Sequence, residues 1–259
     1  MTPIKRISII GAGNVATSLS KAIVNKGFTL LEVFSQKKEN IALLRKHLPK
    51  NCLPKMTTDI KQLDQTADCY IVCVKDDALA TVLEALPLKN KLVVHTSGSI
   101  GMDVFNGFAR YGVFYPLQTF SKENPISLKE VPICIEANQP KTEKLLMELG
   151  HHLSEKVVQL NSQQRETLHL AAVFACNFSN YLYSVAEEIT TAQHIDFSLL
   201  HPLILETAKK IQLQPPKAAQ TGPAKRHDKK TINKQLQLLK NSPHAEVYQL
   251  LTQLIEQQG

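Results

Sequence analysis

Tryptophan is missing from this chain, and aromatic residues make up only 6% of it. So few rings leave no stacking platform for nucleic-acid bases. The five cysteines, Cys52, Cys69, Cys73, Cys134 and Cys176, are scattered, and no two form a C-x-x-C pair. That spacing argues against a zinc ribbon or a thioredoxin-type redox site, and no metal site is expected. Free thiols in a reducing compartment fit better. Cys69 and Cys73 lie four apart in DCYIVCV, on one face of a strand. No apolar run approaches the ~20 residues of a membrane helix. Met1 to Arg6 lead straight into a strand, leaving no room for a signal peptide. A cytoplasmic location with no membrane partner is the expectation.

Acidic residues are also in deficit. Asp and Glu number 23 against 30 Lys and Arg, a formal charge of +7. Much of the excess lies between Glu206 and Lys240, where nine basic residues face only Glu206 and Asp228. Without a nucleic-acid motif or aromatic platform, the cluster suits a small anion or a solvated face better than nucleic acid.

The chain does have enough apolar material for one or two cores, with 43% hydrophobic residues in 259. Apolar runs at 6–10, 29–34, 68–74 and 91–99 read as buried strands. They alternate with helical periods at 14–26, 38–47 and 76–86. Further strands are expected at 112–116, 131–137 and 156–160, with a helix at 140–153. This alternation predicts an α/β fold, a Rossmann-type doubly wound parallel sheet. No convincing strand follows Asn161. Helical stretches at 164–193, 198–213 and 231–257, the last broken at Ser242-Pro243, predict an all-helical second part. The expected domains are therefore 1–160 and 161–259.

Between the first strand and the first helix stands Gly11-Ala12-Gly13-Asn14-Val15-Ala16. In a G-x-G-x-x-[GA] loop the first glycine makes the tight turn and the second lets a pyrophosphate approach the backbone. The third small residue, Ala16, packs the helix on the sheet. The helix N-terminus then favours the negative charge. The flanking strand and helix are the context that gives this pattern weight.

An NAD site usually has a carboxylate at the end of the second strand. Here Ser35, Gln36, Lys37 and Lys38 stand there, suited to a 2′-phosphate, so NADP is expected over NAD. The rival reading makes Lys37 and Lys38 the start of a solvated helix, with Glu32 as the ribose carboxylate. Val74, Lys75 and Asp76 after one strand, and Thr96 after the next, should border the same cofactor. Ser97 should lie near the reacting end. His95 is either a satisfied core imidazole or a substrate ligand.

The segments GAGNVA, VKDDAL, VVHTSGS, GVFYPLQTFS, LHLAAVFACNFSNYLY and QTGPAKRHD, in this order, resemble the short-subunit dehydrogenase-like oxidoreductases. The resemblance covers nearly the whole chain. It implies a Rossmann-like NADP-binding domain, a C-terminal helical domain of unassigned function, and an NADP-dependent oxidoreductase. More distantly the chain is similar to 6-phosphogluconate dehydrogenases, β-hydroxyacid dehydrogenases and pyrroline-carboxylate reductases. Their C-terminal helices typically build a dimer and cover the nicotinamide. A lysine and an asparagine one helical turn apart face the substrate in β-hydroxyacid dehydrogenases. Asn177 can stand for the asparagine, but Val173 occupies the lysine position.

The apolar stretch from Thr167 to Ser184 carries His169, Asn177 and Asn180. At α-helical spacing positions 169, 173, 177 and 180 share a face, where an imidazole and amides could polarise a carbonyl and relay a proton. His169 and Asn177 are the expected catalytic pair with Ser97; Asn180 and Arg226 join His95 as substrate ligands. Arg226 can grip an anion with paired bonds. Asp228 can pair with Arg226 or cap the next helix. The expected function is hydride transfer between NADP and a small polar, anionic metabolite. A homodimer formed through the helical part is also expected. The alternative is a dinucleotide-binding sensor without turnover.

Overall fold

The computed structural model describes residues 2–258. Its first part alternates strand and helix: β1 (Arg6–Ile10), α1 (Asn14–Asn25), β2 (Thr29–Phe34), α2 (Lys38–Arg45), β3 (Lys55–Thr57), β4 (Cys69–Val72), α3 (Asp76–Ala85) and β5 (Leu92–His95). It continues with β6 (Arg110–Pro116), β7 (Ile133–Ala137), α4 (Pro140–Leu153) and β8 (Val157–Gln159). The eight strands form one sheet in the order β3-β2-β1-β4-β5-β6-β7-β8. Every pairing is parallel except β6 with β7, which is antiparallel, so the expected sheet is mostly rather than wholly parallel.

Side chains alternate across the sheet as the period of two demands. Ile7, Ile9, Ile71, Val94 and Phe114 enter one apolar layer, which Leu19 and Ile23 of α1 and Leu146 and Leu149 of α4 cover. Ile10, Tyr70, Val72 and Val93 enter the other, against Leu79 and Leu83 of α3. Burial on both faces is why these strands read as continuous apolar runs. Cys69 and Cys73 share the first layer. Burial pushes both thiols up to about 12, so they behave as small apolar side chains.

All later elements are helical: α5 (Ser162–Ala172), a π-helical segment Val173–Phe178, α6 (Ser179–Thr191), a 3-10 turn Phe197–Leu200, α7 (His201–Leu213), α8 (Pro216–Ala219), α9 (Lys229–Leu238) and α10 (His244–Gln257). The chain divides into two compact units, one up to Cys176 and one from Asn177 onward. In α5, Asn161 caps the helix and exchanges bonds with Gln164 in a capping box. Leu168 of α5 packs on Val113, Tyr115 and Cys134 of the sheet. This helix, expected in the second domain, thus belongs by its contacts to the sheet unit. The helix expected over 164–193 is interrupted by the π-helical segment, and the break expected at Ser242-Pro243 falls between α9 and α10. A π turn holds more residues than an α turn, so α-helical spacing alone no longer puts 169, 173, 177 and 180 on one face. No helix among the described residues is long and apolar enough to cross a membrane.

Candidate active site

The chain leaves β1 to build β2 and β3 on one side, then returns to build β4 and β5 on the other. Strand order therefore reverses between β1 and β4, and the crevice outside their carboxyl ends is where such sheets bind ligands. The loop Gly11–Gly13 lies there. Gly11 adopts φ +116°, and a Cβ on it would lie 2.2 Å from the Cys73 carbonyl oxygen. Only glycine fits that turn. A Cβ on Gly13 would meet nothing within 4 Å. The space above Gly13 is open at the start of α1, which has no side-chain cap. First-turn N–H groups without a cap are available to an anion. Ala16 is fully buried between α1 and the sheet. The Asn14 side chain donates to the Phe120 carbonyl at 2.8 Å, which leaves its backbone, rather than its amide, for a ligand.

At the end of β2 the rival ribose carboxylate is engaged elsewhere. Glu32 is fully buried, 3.1 Å from Lys55 Nζ, and accepts the Asp64 N–H at 2.8 Å. Ser35 is buried, and its hydroxyl accepts the Lys37 N–H at 3.3 Å. Gln36, Lys37 and Lys38 are exposed. After β4, Val74 packs on the α3 layer, whereas Lys75 and Asp76 are exposed.

The turn after β5 is tightly organised. Ser97 Oγ accepts the N–H groups of Ser99 at 3.1 Å and Ile100 at 3.0 Å. The Ser99 hydroxyl donates to the Asp76 carboxylate. Thr96 turns its hydroxyl back on the Val72 carbonyl at 3.4 Å, so it secures β4 to β5 instead of facing a ligand. His95 is fully buried and stacks on Phe105 with ring centroids 5.4 Å apart. Its Nδ1 accepts the Ser97 N–H at 3.2 Å. Burial, helped by the Arg165 charge, pushes its pKa down to about 4 and keeps the ring neutral. His95 thus corrects one expectation: its ring supports the turn from below and is closed to a substrate.

His169 of α5 meets this turn. Its Nδ1 lies 3.1 Å from the hydroxyl of Tyr115, near the carboxyl end of β6. The backbone of Gly98 lies against both rings. A Cβ there would be 2.7 Å from His169 Nδ1 and 2.8 Å from Tyr115 Cζ. One turn before His169, Arg165 is 1% exposed. Its guanidinium pairs with the Glu136 carboxylate of β7 and donates to the Ile100 carbonyl. Glu136 also accepts the Ser162 N–H at 2.9 Å. Sequence reasoning missed Tyr115, Arg165 and Glu136 as members of this site; the resemblance segment GVFYPLQTFS contains Tyr115 but gives no role to it.

Asn177, Asn180 and Arg226 lie in the second unit, and all three are exposed. Asp228 caps α9, accepting the Thr231 N–H at 3.0 Å and its hydroxyl at 2.7 Å. No cluster of three potential metal ligands occurs among the described residues. A cleft of about 620 Å³ lined by Arg6, Asp68, Lys91 and Arg110 sits at the amino-terminal edge of the strands, away from the switch point.

A glycine loop at the strand-order reversal of a mostly parallel sheet defines a Rossmann-type protein. The comparisons agree. Residues 6–99 match the family "NADP oxidoreductase coenzyme F420-dependent", and residues 131–255 match a domain family of unknown function, DUF2520. A crystal structure from Bacteroides fragilis, described as a "putative NADP oxidoreductase", is 40% identical over 98% of each chain, with a TM-score of 0.89. The chain belongs to this family of NADP-oxidoreductase-like proteins, in which a Rossmann domain precedes the DUF2520 domain. The narrower label of short-subunit dehydrogenase finds no support in these matches. A Thermotoga maritima protein is 21% identical over 97% of each chain, at TM-score 0.72. A pyrroline-5-carboxylate reductase from Coxiella burnetii is 14% identical over 99% of this chain and 97% of its own, at TM-score 0.58. These two share the fold. No curated protein sequence matches the chain.

Proposed function

We propose that this protein is a nicotinamide-dinucleotide-dependent oxidoreductase that prefers the 2′-phosphorylated cofactor and acts on a small polar, anionic metabolite. The observation that carries the proposal is the phosphate cradle. Gly11 is locked into its turn by the Cys73 carbonyl, while open space lies above Gly13 at the uncapped start of α1. That site fits a pyrophosphate. The name of the Bacteroides relative supports a nicotinamide cofactor. With Glu32 buried against Lys55, no carboxylate is left at the end of β2, and the exposed Lys37 and Lys38 beside Ser35 suit a phosphate.

The bound cofactor would supply a hydride; the chain's own groups bind, orient and exclude water. Ser97 shapes the turn beside the reacting end, and His169 stands against that turn. Asn177, Asn180 and Arg226 remain candidate substrate ligands on the strength of the sequence. A homodimer is part of the same proposal, because the second unit leaves large apolar side chains exposed in the single chain.

Fluorescence titration with NADPH and NADH tests the reading, followed by NADPH oxidation with a panel of keto acids and imines. Tighter binding of NADPH is expected. Equal affinities remove the 2′-phosphate assignment, and no binding of either removes the whole reading. Tight binding with no oxidation across the panel favours a dinucleotide sensor, a role consistent with Val173 at the position of the relatives' lysine.

A further inference from the structure

Tyr115 stands at the carboxyl end of β6, next to β5, on the half of the sheet built by β4 to β6. In a doubly wound sheet that half holds the second mononucleotide of a dinucleotide, here the nicotinamide half. Three separate elements converge on Tyr115 and His169. The turn after β5 lays the Gly98 backbone on both rings with no room for a side chain. Strand β6 supplies the phenol, 8% exposed, with its ring packed among Val113 and Cys134. Helix α5 supplies the imidazole, and the buried Arg165–Glu136 pair fixes that helix one turn away. A helix pinned by an ion pair one turn away, with both rings packed against the Gly98 backbone, gives the fixed placement that proton transfer needs.

We propose that Tyr115 is the proton donor of the reduction and His169 the group that reprotonates it, the substrate being a small carbonyl or imine compound. This rests on the oxidoreductase reading above. In the productive tautomer His169 carries its proton on Nδ1 and donates to the Tyr115 oxygen, leaving the phenolic hydrogen for the substrate. The substrate carbon gains a hydride, with the reduced nicotinamide as reductant. The C=O or C=N π electrons move to the heteroatom, which takes the Tyr115 proton. As the phenolate takes the Nδ1 proton, the half-buried His169 takes one from solvent on Nε2, so the ring stays neutral through the relay. Burial pushes the Tyr115 hydroxyl up to about 12, so it keeps its proton at neutral pH until a stronger base forms beside it.

Ring-15N NMR of His169 in the full chain tests this, with the signal assigned by its loss in His169→Gln. NADPH is expected to move the signal. The 2′-phosphate of ADP-ribose, which lacks the nicotinamide, is expected to leave it in place. Tyr115→Phe should shift the Nδ1 signal without any cofactor and leave NADPH affinity unchanged. It should also slow NADPH oxidation with any accepted panel compound by about a hundredfold or more. A His169 signal indifferent to saturating NADPH overturns the proposal whether or not a substrate is found. Turnover by Tyr115→Phe near the native rate also overturns it. Failure of the native protein to bind NADPH defeats the underlying reading instead, so the two failures are distinguishable.

Discussion

The two units bury their apolar residues in opposite ways. In the sheet unit, Ile7, Ile9, Leu19, Ile71, Val94 and Phe114 are all essentially inaccessible, and helices close both faces. In the unit from Asn177 onward, Ala224 and Ile232 are the buried hydrophobic residues among those described. Leu199, Leu203 and Leu213 are 71%, 63% and 88% exposed there, and Tyr181 and Leu254 are also open. A sheet with two faces and helices on both completes its own core. A set of short helices with one apolar stripe each needs another surface. The exposed leucines are far more than a monomer's scattered surface hydrophobes.

The largest expected effect tests whether a second copy supplies that surface. Replacing both Leu199 and Leu203 by Glu removes about 1.5–3 kcal/mol of burial per side chain. Light scattering of the native protein at micromolar concentration should give a dimer, and the double variant a monomer. A native monomer would break the comparison, because the second unit would then be stable with its apolar faces in water.

The next effect lies inside the sheet unit. Arg165→Ala leaves the largely buried Glu136 carboxylate without its cation, at a cost of about 3 kcal/mol in urea unfolding, the low end for a broken buried pair. Adding Glu136→Gln should recover much of that loss, since the uncompensated charge is gone. A single-variant loss under about 1 kcal/mol would show that the pair does not anchor α5.

How much of this was legible in the sequence follows from how local each feature is. Strand, glycine turn and helix at residues 6–25 are contiguous, so the cradle could be read directly. β3 could not: KMT has three residues, one charged, and is a strand only because Glu32, Val33 and Phe34 pair with it. VFACNF reads as α-helix, and nothing in its composition announces a π turn. Arg165 sits in the polar opening SQQRET, which looks solvated; its burial comes from Glu136 across the sheet. Tyr115 and His169 are 54 positions apart, and only the packing of α5 on β6 joins them. His95 was ambiguous because a short polar turn after a strand looks the same whether its first ring faces outward or inward.

The third effect is a pH dependence confined to the sheet unit. Burial lowers His95 from about 6.5 to about 4. Between those values the unfolded chain binds a proton that the folded chain does not, so stability rises with pH. Stability should be full above about pH 6.5 and fall by about 3 kcal/mol as pH drops to about 4. His95→Gln should flatten that part of the profile, whatever its effect on stability at neutral pH. An unchanged slope would mean that the ring is not held neutral in the fold.

The smallest expected effect is on cofactor affinity, and it asks whether the cradle works independently of the second unit. The residues proposed for the cofactor, from Gly11 to Asp76, all belong to the sheet unit. Replacing Lys37 and Lys38 by Ala should weaken NADPH binding by about 1–3 kcal/mol, roughly five- to a hundredfold in Kd. NADH binding should barely change, because it has no 2′-phosphate for these exposed cations to meet. Raising the salt concentration should narrow the gap between the two cofactors, since exposed charges are screened. The lysine variant should keep the native oligomeric state, and the Leu199→Glu/Leu203→Glu variant should keep the native preference for NADPH over NADH. Loss of that preference in the leucine variant would show that the second unit contributes to cofactor recognition, and the division of labour between the units would have to be redrawn.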